Sequence, residues 1–201
     1  VNEPIAAVIV GLLLSLSAGF RITLPLLAVN VLAQYHEITL PSNLTWMGSD
    51  ATTIILCVAC AVETIVHFIP AVGTYLKGLS TPLAFVAGTL LMAVPLGDHN
   101  PLYQWMIAAG VGGGLATLTH LGVTSARVAS SPVNIASLGT FGIVWNIGEA
   151  LASACLAVLG WICLVGGWIV GVVILLVLAV LGTVLAVKGF SRLTKPRPAV
   201  S

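Results

Sequence analysis

The sequence predicts an all-α, polytopic membrane protein of about six spans, and three observations carry that expectation. First, 59% of its 201 residues are hydrophobic and only 6% are charged, whereas about a quarter of a soluble globular chain is charged. Second, the long runs, such as Val172 to Val187, are apolar on every side, while barrel strands alternate polar with apolar. Third, hydrocarbon cannot satisfy backbone N–H and C=O groups, so with a barrel set aside the spans must be helices.

The apolar segments fall at 4–34, 51–69, 80–96, 101–121, 138–159 and 163–187. Together they make one transmembrane domain over 1–187, with halves 4–96 and 101–187, followed by a basic tail at 188–201. The first segment resembles the core of a signal peptide, but the residues before it carry no positive charge, which favours a membrane helix. As one straight helix it would run ~46 Å at 1.5 Å per residue, against a hydrocarbon core of ~30 Å. A break is therefore expected near Gly19 to Pro25, where Gly19 weakens the helix and Thr23 with Pro25 reads as the cap and first turn of a new one.

Thr81-Pro82 and Asn100-Pro101 have the signature of helix starts, a side-chain acceptor ahead of a proline that needs no partner. Gly110 with Gly114, and Gly167 with Gly171, read as GxxxG packing motifs. The glycine run 110–114 is not a phosphate loop, because it lacks the lysine and the strand that such a loop needs. Cys57, Cys60, Cys155 and Cys163 lie in apolar segments with no clustered histidine, so no metal site is expected.

Charge orients the chain. Lys188, Arg192, Lys195 and Arg197 place the tail in the cytoplasm, and an even number of spans then puts the N-terminus there too. Lys77 and Arg127 also fall on cytoplasmic connections, and Glu37, Asp50 and Asp98 on the opposite side. A net charge of +1 gives no sign of nucleic-acid binding.

Arg21 alone does not fit that pattern. An arginine at the centre of a lone helix costs ~2.5–3.5 kcal/mol on insertion scales, so it either reaches the membrane surface with its long stem or turns inward to Glu63, Glu149 or an anionic ligand. A helix starting at Thr23 would add free N–H groups at the same spot. Glu63 and Glu149 lie within spans, where a carboxylate can take up and release a proton. His67 follows Glu63 by one turn on the same helix face. Arg127, followed by Ser131-Pro132, repeats the order arginine, proline, glutamate, which is compatible with inverted halves of three spans each.

Gly19-Phe20-Arg21 with Pro25-Leu26-Leu27, Trp46-Met47-Gly48-Ser49, Glu63 before Ile69-Pro70, Thr81-Pro82 leading to Ala87-Gly88-Thr89-Leu90, Gly97-Asp98 and Gly112-Gly113-Gly114 together resemble a bacterial membrane family, domain of unknown function 4126. The resemblance covers roughly residues 11–160. It implies a bacterial inner membrane and no particular activity.

The expected function is therefore read from the residues. It is transport, by a channel, secondary transporter or flippase, of an ion, small solute or anionic lipid through a polar site of Arg21, Thr23, Glu63, His67 and Glu149, with Arg127 at its cytoplasmic edge. Membrane lipids, further copies of the chain and an anionic solute or lipid head group are the expected partners. No cofactor is expected, and no nucleophile and base stand together as an enzyme would need. The alternative is a scaffold or accessory subunit whose buried charges only fix helix pairing.

Overall fold

A computed structural model describes residues 4–68, 70–97, 100–137 and 139–166, except the side chains of Pro4, 66–68, 70–79, Val133 and 164–166. The elements in order are α1 (Pro4–Phe20), α2 (Thr23–Gln34), a 3₁₀ turn (Ser42–Gly48), α3 (Asp50–Phe68), α4 (Pro70–Leu96) and α5 (Pro101–Ile107). A π-helical segment (Ala108–Gly113), α6 (Gly114–Ala129), α7 (Ser131–Ala136) and α8 (Thr140–Gly166) follow. There is no strand among the described residues.

Pro101–Ala129 and Thr140–Cys163 are each long and apolar enough to cross a membrane, and the 3₁₀ turn with Asp50–Ile65, bent by 62°, is a third such unit. Most of the predicted sixth span, the basic tail, Asp98, the Lys77 and His67 side chains and the Gly167/Gly171 motif lie outside what the structure describes.

The outer faces are apolar. Ile54, Ile55, Val58, Val62 and Ile65 on α3, and Ile143, Val144, Ile147 and Leu151 on α8, are all exposed. A soluble domain rarely leaves apolar patches of that extent in water, whereas hydrocarbon accepts them at no cost. The core is α1, of which no residue from Ala6 to Phe20 is exposed. Apolar all round, it is the helix that a membrane bundle can place at its centre, and it packs against α4, α8 and α6.

Polar ties fix the register of α1. Ser15 donates to the Gly88 carbonyl of α4 at 3.0 Å. Ser17 donates to the Ser153 carbonyl of α8 at 2.8 Å, and Ser153 returns a bond to the Ser17 carbonyl at 3.1 Å. Side-chain bonds between membrane helices are worth ~0.6 kcal/mol on average, so their main effect is orientation.

Local signals identified some boundaries and misplaced others. Asn100 does cap α5, accepting from the Leu102 N–H at 3.1 Å ahead of Pro101. Thr81-Pro82 is not a helix start: α4 begins at Pro70 and runs through Pro82. Membrane helices tolerate interior proline because neighbours re-satisfy the released groups. The expected break between 159 and 163 is also absent, since α8 is continuous from Thr140 to Gly166. Gly160 instead lets α1 close in, and a Cβ there would lie 3.1 Å from Leu14.

Gly110 and Gly114 do not make the close packing among the described residues, because a Cβ at either would meet none of them within 4 Å. The contact is at Gly112, where a Cβ would fall 2.3 Å from Met92 and 2.6 Å from the Gly88 carbonyl. The π-helical segment explains the shift. Its i→i+5 bonding adds a residue to the turn, so the face toward α4 no longer follows four-residue spacing.

Candidate functional site in the break after the first helix

Arg21 sits where the chain leaves α1. Its N–H closes the last turn on the Ser17 carbonyl at 3.1 Å. Beyond it the helix cannot continue in register, because Pro25 has no N–H for the Arg21 carbonyl and its ring would crowd that oxygen. The break releases the N–H groups of Ile22 and Thr23, and a released donor inside a membrane needs an acceptor.

Glu63 of α3 supplies it. Ile22 N–H donates to Oε1 and Thr23 N–H to Oε2, each at 3.1 Å, and the Thr23 hydroxyl also donates to Oε2. The carboxylate thus holds the positive end of the α2 dipole, where a negative charge is favoured. Thr23 was expected to cap α2. Its residue type is right but its role differs: no side chain of α2 caps the helix, and Thr23 donates to the group that does.

The Arg21 guanidinium turns inward. The residue is only 7% exposed, so its side chain is packed within the protein rather than turned out to its surroundings. It was expected to pair with Glu63, Glu149 or an anion, yet among the described residues no carboxylate lies within ion-pair distance of it. Nη2 donates to the Asn146 carbonyl of α8 at 3.2 Å, and Nη1 to the Thr64 hydroxyl of α3 at 3.4 Å. Its buried Nε has no partner. The two acids are held elsewhere: Glu63 by the helix start, Glu149 by Arg127.

Glu149, 5% exposed, accepts from Arg127 Nη2 and from the Trp145 indole one turn back on α8. Arg127 is therefore a partner of that acid. Asn146 precedes Glu149 by three residues, so the carbonyl that Arg21 grips and the acid that Arg127 grips are one turn apart. His120 of α6 lies with its Nε2 3.0 Å from the Ser80 hydroxyl of α4.

Sequence reasoning passed over His120, Thr64 and Ser80. A sign of Thr64 was present, since it adjoins Glu63, but nothing local marks His120. No group of three or more metal-ligating side chains occurs among the described residues.

Two asparagines brace the break regions. Asn30, fully buried, donates to the Met47 and Ser49 carbonyls and accepts from Thr53 Oγ1 at 2.8 Å. Asn134 of α7 accepts from the Gly142 N–H at 2.8 Å. Each joins the helix after an arginine to the first turn of the helix bearing the glutamate. Asn30→Ala leaves buried partners unsatisfied and should cost about 1–3 kcal/mol. A thermal melt of the purified protein reads this, and an unchanged midpoint would show that the tie is not made.

These features describe an α-helical membrane protein with buried, bonded charges at a helix break. A family model described as Domain of unknown function (DUF4126) matches residues 8–186, and the chain belongs to that family. No curated protein and no solved structure matches it.

Proposed function

We propose that the chain is a membrane transport protein, a channel, secondary transporter or flippase, that moves an ion, small solute or anionic lipid through the polar cluster at the α1–α2 break. One observation carries this reading. Arg21 and Glu149 are each less than a tenth exposed, and with Glu63 and Arg127 they surround one end of the central helix of a membrane bundle. Ionisable groups kept at such cost commonly mark substrate or ion pathways.

Broken helices meeting inside the membrane, in two inverted halves, are a recurring transporter plan. The shared order arginine, proline, asparagine, glutamate, with each asparagine bonded to the start of the glutamate helix, supports that plan. The remaining parts of the proposal are six spans, both termini in the cytoplasm of a bacterial inner membrane, and a homo-oligomer. The open glycines 110 and 114 offer a place for a neighbouring helix. The proposal assigns the chain no catalytic chemistry.

The test is flux in proteoliposomes. Glu63→Gln and Arg21→Ala should each reduce flux by about tenfold or more, the effect of losing ~1.4 kcal/mol at the site, while the protein remains monodisperse. Unchanged flux in both variants would reject the reading.

A scaffold or accessory subunit is the second reading. The saturation of both acids favours it, three donors on Glu63 and two on Glu149, as expected of groups that only tie helices together. A scaffold would show no flux in the wild type, and the same substitutions would change only its stability or its assembly.

A further inference from the structure

We propose that the start of α2 is a binding site for a small monovalent planar oxyanion of the carboxylate, nitrate or bicarbonate class, and that the Glu63 side chain is its tethered occupant. This names the substrate class of the transport site and rests on that reading for its use, though not for binding.

The donor set matches this class in shape. Two successive N–H groups, of Ile22 and Thr23, each take one oxygen of a single carboxylate at 3.1 Å, and the Thr23 hydroxyl joins the second oxygen. Any planar anion with two adjacent oxygens presents the same edge. Backbone N–H groups at a helix start favour such a ligand through both hydrogen bonding and the dipole.

A second, independent observation points the same way. The Arg21 guanidinium is buried, bonds only neutral oxygens through Nη1 and Nη2, and keeps a buried Nε with no acceptor. Arg21 directly precedes Ile22, and its Nη1 bonds Thr64, the residue next to Glu63 on α3, so the guanidinium and the helix start share neighbouring residues. A buried donor left unmade costs about 1–3 kcal/mol, and an anion seated there would satisfy it.

The present occupant comes from outside α2. Glu63 is a half-buried side chain of α3, so its displacement leaves the α2 donors in place. An incoming monovalent anion then inherits the Ile22 and Thr23 donors and gains Arg21 Nε. One negative charge replaces another at the helix end, so monovalent ligands should be preferred over divalent ones.

A tethered competitor acts at an effective concentration on the order of mM or more, so the wild type should bind weakly and its release should strengthen binding by about tenfold or more. The experiment titrates nitrate and formate into the purified full chain in neutral detergent, reading heat and melting temperature for the wild type, Glu63→Gln, Glu63→Ala and Glu63→Ala with Arg21→Gln. Glu63→Ala should bind nitrate at least about tenfold tighter than wild type, and adding Arg21→Gln should remove the gain.

Equal affinity in wild type and Glu63→Ala, or a gain that survives Arg21→Gln, overturns the proposal. So does binding of phosphatidylglycerol in mixed micelles without binding of nitrate or formate, which assigns the site to a lipid. If Glu63→Ala does not fold, Glu63→Gln gives the same reading. If neither folds, nitrate must raise the wild-type melting temperature more than sulfate at equal ionic strength, and an equal response overturns the proposal. Nitrate binding without flux of any solute leaves the site standing and removes transport; flux without anion binding does the reverse.

Discussion

Gly112→Val is expected to disrupt the native packing, lowering stability by about 3 kcal/mol or more, at the upper end of overpacking effects. The Cβ would stand 2.3 Å from the Met92 Cβ and 2.6 Å from the Gly88 carbonyl oxygen. That oxygen belongs to helix backbone and cannot rotate aside, so α4 and the π-helical segment must move apart. Because α4 also holds α1 through Ser15 and Gly88, the separation reaches the central helix. Gly110→Val is the matched control, with none of the described residues within 4 Å of its Cβ, and should stay within about 0.5 kcal/mol of wild type. Thermal melts and size-exclusion profiles compare the two. If both variants melt alike, the crossing at Gly112 is misplaced.

Glu149→Ala should be the costliest change among the charged residues. It leaves the Trp145 N–H and the Arg127 guanidinium without their shared acceptor. Breaking a buried pair from one side typically costs 3–5 kcal/mol. Arg127 is 31% exposed at its side chain, however, and can turn part of its charge outward, so about 2–4 kcal/mol is expected. Glu149→Gln keeps an acceptor for Trp145 and should cost less. Arg127→Gln combined with Glu149→Gln should recover part of the summed single losses, because the double variant buries no lone charge. Strict additivity in that cycle, read by thermal denaturation, would mean that the two side chains do not interact.

How far the sequence reached differs from residue to residue. The break after α1 was legible because its causes are local: a segment too long for the membrane and a proline four residues past Arg21. The α5 start at Asn100-Pro101 was legible for the same reason. Yet Thr81-Pro82 has the same local signature and lies inside a helix. At Pro25 the freed donors found a carboxylate from α3, whereas at Pro82 the helix simply persisted. Nothing within a few residues of either proline distinguishes the two outcomes.

The site shows the same division. Arg21, Glu63, Glu149 and Arg127 stood out because charge in an apolar segment is conspicuous. Their pairing did not, because Arg21 and Asn146 are 125 residues apart in the chain and His120 is a common residue type in an uncommon place. The close contact with α4 falls at Gly112 and not at the four-residue motif, because that spacing presumes an α-helix and a π-helical turn changes which glycines face α4.

By itself, then, the sequence determined the solvent this chain is built for, its helical character, its first break and which charged residues lie within apolar segments. Composition and short-range sterics are sufficient for those. Only the tertiary structure decided that Glu63 holds the start of α2, that Arg127 takes Glu149, and that Arg21 is left on neutral oxygens with a donor unmade. Partner choice among buried charges depends on which group arrives with the better geometry, and that is set by how helices distant in sequence pack around α1.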